Sequence, residues 1–292
     1  MAYAAVRSSA LFGTAGAAIV VAMEPPLDIV PAPDRSGAPR WQALAPHGSV
    51  AGVAGLWPVT PFGLDFLLPT APVTRPGAAE LRVYVAPRWR RRGVGSRLLT
   101  AVREQTAVPC LVSYVAVGSP EERFYARHGF SHTRSWRHEL LTYGDVHQAW
   151  LGELVDAEHP GYRLSHWTGD LFGAPRVEDL LRSPSRPGDA VWTAADADGD
   201  VGAYVVAVVG TPSGGRAHQY GPVVLPGHRG RRLSRWVNAA LIQRLREVHP
   251  QVTEIETAGA ADDRHLLATL RHLGFRPLRR TSVYELWDGA PS

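Results

Sequence analysis

The chain contains one order of sequence features twice, and this repeat is the strongest constraint on its fold. The first copy has a strand-like run at residues 81–87, an arginine-rich turn, an amphipathic helix, an apolar strand and a short helix, and it ends on Gly129-Phe130. The second copy starts near residue 221 with the same series and ends on Gly274-Phe275. Such self-similarity indicates two structural units of one plan. Because strands alternate with helices in each, the sequence predicts two α/β domains.

Hydrophobic spacing defines the elements and the domain boundaries. Apolar residues at helical spacing follow each arginine-rich turn, and β-branched runs bounded by proline or glycine predict the strands. A hairpin precedes each copy, at residues 190–209 in the second and, with a weaker pattern, at 41–57 in the first. The 292 residues have room for two domains. We place them at residues 24–148 and 161–292, with a connector at 149–160.

Residues 1–23 lie outside this plan. Residues 11–22 are apolar behind a single arginine, Arg7, which is the pattern of a short signal-peptide core. Nothing else in the sequence indicates export, and no stretch has the apolar length of a membrane-spanning helix. The sequence therefore predicts a disordered tail or an overcalled start, followed by a cytoplasmic protein with no membrane partner.

Composition excludes several chemistries. All 31 basic residues are arginine, so a pyridoxal phosphate Schiff base, a lysine nucleophile and a Walker-type phosphate loop are excluded. The single cysteine, Cys110, excludes internal disulfides and cysteine-rich metal sites, and burial in an apolar strand is favoured over a nucleophilic role. The twelve histidines show no helical metal-ligand spacing, so no metal site is predicted.

The first arginine-rich turn is a candidate anion site. The turn and the residues that follow it into the helix are Arg90, Arg91, Arg92, Gly93, Val94, Gly95 and Ser96. A helix that begins directly after a strand and a glycine turn presents backbone N–H groups and a positive dipole end to an anion. The glycines allow a diphosphate to approach the backbone, and the arginines add charge. This position favours a phosphate site over a solvated or nucleic-acid-facing patch, so no nucleic acid partner is predicted.

Two motifs of the first copy resemble those of the GNAT family of acyl-CoA N-acyltransferases. Arg90-x-x-Gly93-x-Gly95 matches the family's R/Q-x-x-G-x-G/A diphosphate motif, and Phe124-Tyr125-x-x-x-Gly129-Phe130 is similar to its later F-Y-x-x-x-G-F motif. Their order, with a helix and a strand between them, is more specific than either motif alone. The architecture resembles that of tandem GNAT proteins such as mycothiol synthase.

The resemblance implies two tandem GNAT-like domains, each a mixed, splayed β-sheet flanked by helices. It implies acetyl-CoA or another acyl-CoA as co-substrate, with the backbone of Val83 and Val85 contacting pantetheine and the amides from Arg91 to Ser96 holding the diphosphate. Tyr125 would protonate the thiolate that leaves when the amine of a small metabolite attacks the thioester directly, without a metal. Packing alone is the alternative role of Tyr125.

Other roles are less closely defined. Glu80 and Asp65 are candidates for the general base, and an ordinary solvated carboxylate is the alternative for each. Residues 29–41 leave little room for the two helices that line the acceptor site in this family, so the acceptor pocket is predicted at the domain interface. The protein is predicted to be a monomer or a homodimer. Alternative functions are a non-catalytic acyl-CoA-binding scaffold, and acyl transfer to a hydroxyl or to a carrier-bound substrate.

The second copy keeps less of the chemistry. Its corresponding residues are Val224, Arg229, Gly230, Arg231, Arg232, Leu233 and Ser234. Arg232 stands where the motif has glycine, Ser234 stands where it has glycine or alanine, and Leu270 stands where the first copy has Tyr125. A leucine cannot donate a proton, so this copy is either structural or uses another group such as Tyr220 or His218. Although the second half of mycothiol synthase is the catalytic one, the motifs here predict that the first half is.

Overall fold

The computed structural model describes residues 27–32, 37–59, 77–170, 184–210 and 215–287. The predicted tail at residues 1–23 and the candidate base Asp65 lie outside these ranges. The first half contains strands β1 (Asp28–Pro31), β2 (Arg40–Leu44), β3 (Val50–Pro58), β4 (Ala78–Val85), β5 (Cys110–Ala116) and β6 (Ser131–Thr142), with helices α1 (Val94–Gln105) and α2 (Pro120–Arg127). The second half contains α3 (Gln148–Asp156), β7 (Arg163–Gly169), β8 (Ala190–Ala197), β9 (Asp200–Val209), β10 (Arg216–Val224), α4 (Leu233–Val248), β11 (Glu254–Ala260), α5 (Arg264–His272) and β12 (Arg276–Trp287).

The described strands form one mixed sheet in which the two halves exchange their last strands. The order is β1-β2-β3-β4-β5-β12-β6-β11-β10-β9-β8-β7. Strand β12 of the second half pairs along β5 of the first, from Thr281 opposite Ala116 to Trp287 opposite Cys110. Strand β6 of the first half pairs along β11 of the second. Each half is therefore completed by a strand from the other.

With this strand exchange, an approximate twofold axis that passes between β6 and β12 relates the two halves of the chain. A Cβ added to Gly129 would lie 3.7 Å from Leu286, and one added to Gly274 would lie 3.5 Å from Leu141. Each of these glycines ends the second motif of its own half and has a positive φ, which a side chain rarely adopts. Each thus packs against the strand contributed by the other half.

Both halves contain a pair of parallel strands that separate partway along. Strands β4 and β5 pair only at their beginnings, up to Glu80 opposite Val112. Just past this point the Ser113 hydroxyl donates to the Leu81 carbonyl, at 3.0 Å. Strands β10 and β11 separate after Gln219 and Thr257, where the Thr257 hydroxyl donates to the Gln219 carbonyl at the same distance, 3.0 Å. The splayed, mixed sheet that the resemblance implied is confirmed.

Helices α1 and α2 pack on one side of the first half. They share an apolar cluster with the side of β4 and β5 that carries Leu81 and Leu111, which we call the helix face. Neighbouring residues of a strand point to opposite sides, so Glu80 and Val112 lie on the other side, the opposite face. In the second half, α4 packs in the same way on the side of β11 that carries Ile255. Cys110 is buried, as predicted.

A buried histidine links the exchanged strands. His138 of β6 is 4% exposed, and its Nδ1 lies 3.2 Å from Glu256 of β11. Its Nε2 lies 3.1 Å from the Thr281 hydroxyl of β12. Since an ionised carboxylate only accepts, Nδ1–H donates to Glu256 and Nε2 accepts from Thr281. Burial, and secondarily the charge of Arg279, lowers the pKa of His138 below its ordinary 6.5, against the opposing effect of Glu256.

The lowered pKa of His138 predicts that the fold loses stability in acid. The unfolded chain binds a proton at this histidine more readily than the folded chain does, so the free energy of unfolding decreases as the pH falls below about 6.5. Replacing His138 with glutamine should make this decrease smaller, measured by urea unfolding between about pH 7.5 and pH 5.5. Equal pH dependence in the variant and the parent would show that His138 does not contribute.

Candidate active site

The first arginine-rich turn leads directly into α1. Gly93 immediately precedes the helix and has a φ of 73°, a left-handed conformation that glycine adopts without strain. Arg90 is turned back onto β4, because its Nε donates to the Val85 carbonyl at 3.1 Å. The guanidinium of Arg92 lies 5.6 Å from the centre of the Trp89 ring. The helix start therefore lies beside the end of β4, at the place where the sequence predicts an anion site.

Gly95 has a packing role that the sequence did not indicate. A Cβ at this position would lie 3.1 Å from the ring of Phe124, so the missing side chain makes room for that ring. In the second half the corresponding residues are Ser234 and Thr269, whose hydroxyls lie 3.2 Å apart. A pair of small hydroxyl side chains, Ser234 and Thr269, thus takes the place of Gly95 and the large ring of Phe124. Ser234 directs its hydroxyl towards α5, and the two substitutions compensate each other.

Tyr125 lies between the helices and the opening of the sheet. Its side chain is 4% exposed, and its ring packs edge-on against Phe130, with 4.9 Å between centroids. Burial raises the pKa of Tyr125 above its ordinary value, while hydrogen bonding to the Ser113 hydroxyl and the Val83 backbone acts in the other direction. Those two partners belong to β5 and β4, so the hydroxyl reaches the place where these strands separate.

His128 joins the two motifs, and no sequence pattern singled it out. Its Nδ1–H donates to the Phe124 carbonyl at 2.8 Å, and its Nε2 accepts from the Ser96 hydroxyl at 2.9 Å. The end of α2, which carries Tyr125, is thereby attached to the start of α1. The second copy has Leu273 at this position, so a comparison of the two copies offered a signal.

Glu80 lies at the opening but on the opposite face. Its Oε1 accepts from the Nε of Arg82 at 2.6 Å, and its Oε2 accepts from an Arg82 terminal nitrogen at 3.1 Å. The Arg82 guanidinium lies 5.0 Å from the centre of the Trp57 ring. The negative charge of Glu80 is one of the smaller influences that raise the pKa of Tyr125. The structure thus brings both predicted catalytic residues to one opening, from its two sides.

The second half has an open cleft at the corresponding place. The cleft has a volume of about 800 Å³. Its lining includes every predicted residue of the second copy: Val224, Arg229, Gly230, Arg231, Arg232, Leu233 and Ser234. Leu270 is fully buried. His218 and Tyr220 lie on the side of β10 away from α4, so neither takes the place of the Tyr125 hydroxyl.

Among the described residues, no group of three or more histidine, cysteine, aspartate or glutamate side chains is arranged to hold a metal ion. Within those ranges, too, none of the helices is long and apolar enough to span a membrane.

Comparison with known proteins identifies the first half. Residues 45–132 match the family profile described as an acetyltransferase (GNAT) domain. The chain therefore contains a GNAT domain. The match includes both the diphosphate motif and the Phe124-Tyr125 motif. No curated protein matches the sequence.

Solved structures show that the likeness in fold extends to the second half. A tandem GNAT protein from the clavulanic acid biosynthesis pathway, without acetyl-CoA, superposes with a TM-score of 0.62 at 21% identity, over 87% of this chain and 84% of that one. A GCN5-related N-acetyltransferase from Sphaerobacter thermophilus gives 0.56 at 15% identity, over 87% and 82% of the two chains. A fungal GCN5-related glucosamine N-acetyltransferase region gives 0.61 at 14% identity, over 85% of this chain but 33% of that multi-domain protein. The tandem GNAT fold is thereby confirmed.

Arg232, whose backbone has a left-handed conformation, offers a direct test of acyl-CoA binding in the second cleft. Arg232 has a φ of 60° at the position of Gly93. Replacing it with glycine should raise the free energy of unfolding by about 1 kcal/mol, because an L side chain is strained in this conformation. We also expect a second equivalent of acetyl-CoA to bind, measured by titration calorimetry.

The reverse change in the first half, Gly93→Arg, is the matched control and should weaken binding there. If Arg232→Gly leaves the stoichiometry unchanged, the arginine is not what limits binding in the second cleft.

Proposed function

We propose that this protein is an acyl-CoA-dependent N-acyltransferase whose first half catalyses the reaction. The donor is acetyl-CoA or a related acyl-CoA, and the acceptor is the amine of a small metabolite. The observation that carries the proposal is the position of the Tyr125 hydroxyl, at the opening between β4 and β5 and beside the helix that starts after Gly93. The GNAT match over residues 45–132 supports it.

The donor fits the groups at this opening. Strand β4 has no ladder partner on its β5 side beyond Glu80, so the backbone at Val83 and Val85 suits an extended pantetheine. The amides from Arg91 to Ser96 suit the diphosphate, because they lie at the positive end of α1. The arginines of the turn add charge, and neither a lysine nor a metal is needed.

In the proposed reaction, Tyr125 acts from the helix face of the opening and Glu80 acts from the opposite face. The neutral amine attacks the thioester carbonyl carbon, a C–N bond forms, and a strand N–H stabilises the oxygen that gains negative charge. The C–S bond then breaks, and the thiolate takes the Tyr125 proton. Because burial raises the pKa of Tyr125, the hydroxyl remains protonated at neutral pH and can act as this donor. The amine loses its proton to Glu80, directly or through water.

The second half lacks a proton donor at the corresponding place, since Leu270 is buried where Tyr125 stands in the first. We propose that it acts in folding, by completing the sheet of the first half with β12. Its cleft is a candidate for a second acyl-CoA site without turnover once Arg232 is replaced with glycine.

Binding and turnover can be measured separately. Titration calorimetry with acetyl-CoA tests donor binding, and thiol release in the presence of candidate amines tests transfer. Since Cys110 is 1% exposed, a thiol reagent should report released CoA with little background from the protein. Absence of binding would contradict the proposal. Binding without release for any acceptor would support the non-catalytic scaffold, and release with alcohols alone would point to O-acylation.

A further inference from the structure

We propose that the acceptor is an amine that also carries a carboxylate, and that Glu80 and Arg82 recognise these two groups on the opposite face of the sheet. This inference rests on the proposed function and names the class of its acceptor.

The acceptor must approach from the opposite face. On the helix face, the opening is occupied by Tyr125 and Phe130, which are each 4% exposed and packed against each other. The attacking nitrogen needs an unobstructed path to the carbonyl carbon. Glu80 and Arg82 lie on the opposite face of β4. Glu80 belongs to the last residue pair between β4 and β5, and Arg82 stands two residues further along β4.

Glu80 and Arg82 form an ion pair that leaves hydrogen-bonding groups of Arg82 available for a ligand. Glu80 keeps 13% of its side chain exposed, whereas Arg82 keeps 63% exposed. Their two hydrogen bonds use two of the five N–H donors of the guanidinium. The contact with the Trp57 ring restricts the guanidinium plane. Arg82 can therefore bind a carboxylate with its remaining donors while it stays paired with Glu80.

The fold itself does not require this pair. The pairing of β9 with β10 in the second half corresponds to the pairing of β3 with β4 in the first. In this comparison His218 takes the position of Glu80, and Val208 takes the position of Trp57. Tyr220 follows at the position of Arg82. The second half forms the same splayed strands with Arg216 and Glu256 as the ion pair beside His218, so a pair arranged as Glu80 and Arg82 are is particular to the half that contains Tyr125.

An amino acid complements the pair chemically. The ionised Glu80 accepts a hydrogen bond from the neutral amine and takes the proton that the nitrogen loses when the C–N bond forms. Arg82 holds the carboxylate in a planar, two-pronged contact, which fixes the orientation of the amine. The amine and the carboxylate of the substrate thus each meet a complementary group, Glu80 for the amine and Arg82 for the carboxylate.

Matched amines test the inference with the full chain. Glycine, β-alanine and 4-aminobutyrate are compared with methylamine, ethylamine and propylamine, which differ only by the carboxylate, in an assay of CoA release from acetyl-CoA. We expect kcat/KM to be at least about tenfold higher for some carboxylate-bearing member over its partner. Equal values in every pair would overturn the inference and leave the proposed function standing. Release of CoA with no amine at all would overturn both.

Variants distinguish recognition from folding. Arg82→Gln should raise KM for the preferred carboxylate-bearing amine at least about tenfold, with the KM for acetyl-CoA unchanged. The exchange Glu80→Arg with Arg82→Glu keeps an ion pair but puts each charge at the other's position, so it should lower kcat for every amine and, in the remaining activity, abolish the preference. Arg244→Gln, which removes the exposed pair with Glu247 on α4, is the matched control and should leave the preference intact. A preference that survives both changes at Glu80 and Arg82 would overturn the inference.

Discussion

Replacing Tyr125 with phenylalanine is expected to lower kcat about a hundredfold and to leave the dissociation constant of acetyl-CoA within about twofold. The variant removes the hydroxyl with which Tyr125 reaches the opening from the helix face. It keeps the ring, whose edge-on contacts with Phe124 and Phe130 hold the start of β6 to the helices. Binding would therefore persist, while the thiolate would leave without a proton donor. Steady-state thiol release and titration calorimetry measure the two quantities.

Tyr284→Phe is the matched control for this prediction. Its ring stacks on that of Tyr125, with 6.4 Å between centroids, so the variant removes a neighbouring hydroxyl from the same aromatic group. We expect its kcat to stay close to that of the parent. If Tyr125→Phe also kept its rate, Tyr125 would have a packing role only, and the leaving thiolate would take its proton from water.

Cutting the chain between Asp145 and Val146 is expected to leave two fragments that cannot fold separately. The cut lies in an exposed turn, but it separates β6 from β11 and β12 from β5. Each fragment then loses the strand that covers one edge of its sheet, over seven ladder pairs in each case. Domains are stable by only about 5–15 kcal/mol, so the loss of these pairs and of their packing should exceed what either fragment can tolerate.

Co-production of the two fragments provides the control for the cut. Together they should associate, unfold in one cooperative transition and bind acetyl-CoA with an affinity within about threefold of the intact chain. Each fragment alone should aggregate, because it presents an unpaired edge strand. A fragment that unfolds cooperatively by itself would contradict the strand exchange as a requirement for folding.

Much of the first site was predictable because its constraints are local. A basic turn directly after a strand, with glycines that lead into an apolar-periodic segment, has a direct sequence signature, so a helix after this turn was predicted; the structure starts it at Val94, within the motif. The opening of the sheet was reached only through the resemblance. The roles of Gly95 and His128 were missed, because each depends on a partner about thirty residues away, Phe124 for one and Ser96 for the other.

The second half shows how a pattern of single residues can mislead. Ser234 was interpreted as a loss from the motif, yet it is matched by Thr269, a smaller residue than Phe124, across the same contact. Ser234 and Thr269 lie in different helices, so a comparison with the diphosphate motif alone includes Ser234 and misses the compensating change at Thr269. His218 and Tyr220, named as alternatives should the second copy use another group, lie on the side of β10 away from α4, because alternate residues of a strand point to opposite faces.

The sequence by itself determined that the protein consists of two α/β units of one plan and that the first retains the more complete set of reactive groups. Periodicity, turn residues and motif spacing are local properties, and they specify the elements of each unit. Only the tertiary structure decided which strand completes which unit. The strands after Gly129-Phe130 and Gly274-Phe275 are each compatible with either half, and their pairing depends on contacts between residues more than a hundred positions apart. The same long-range packing brings Glu80, Arg82 and Tyr125 to the two sides of one opening.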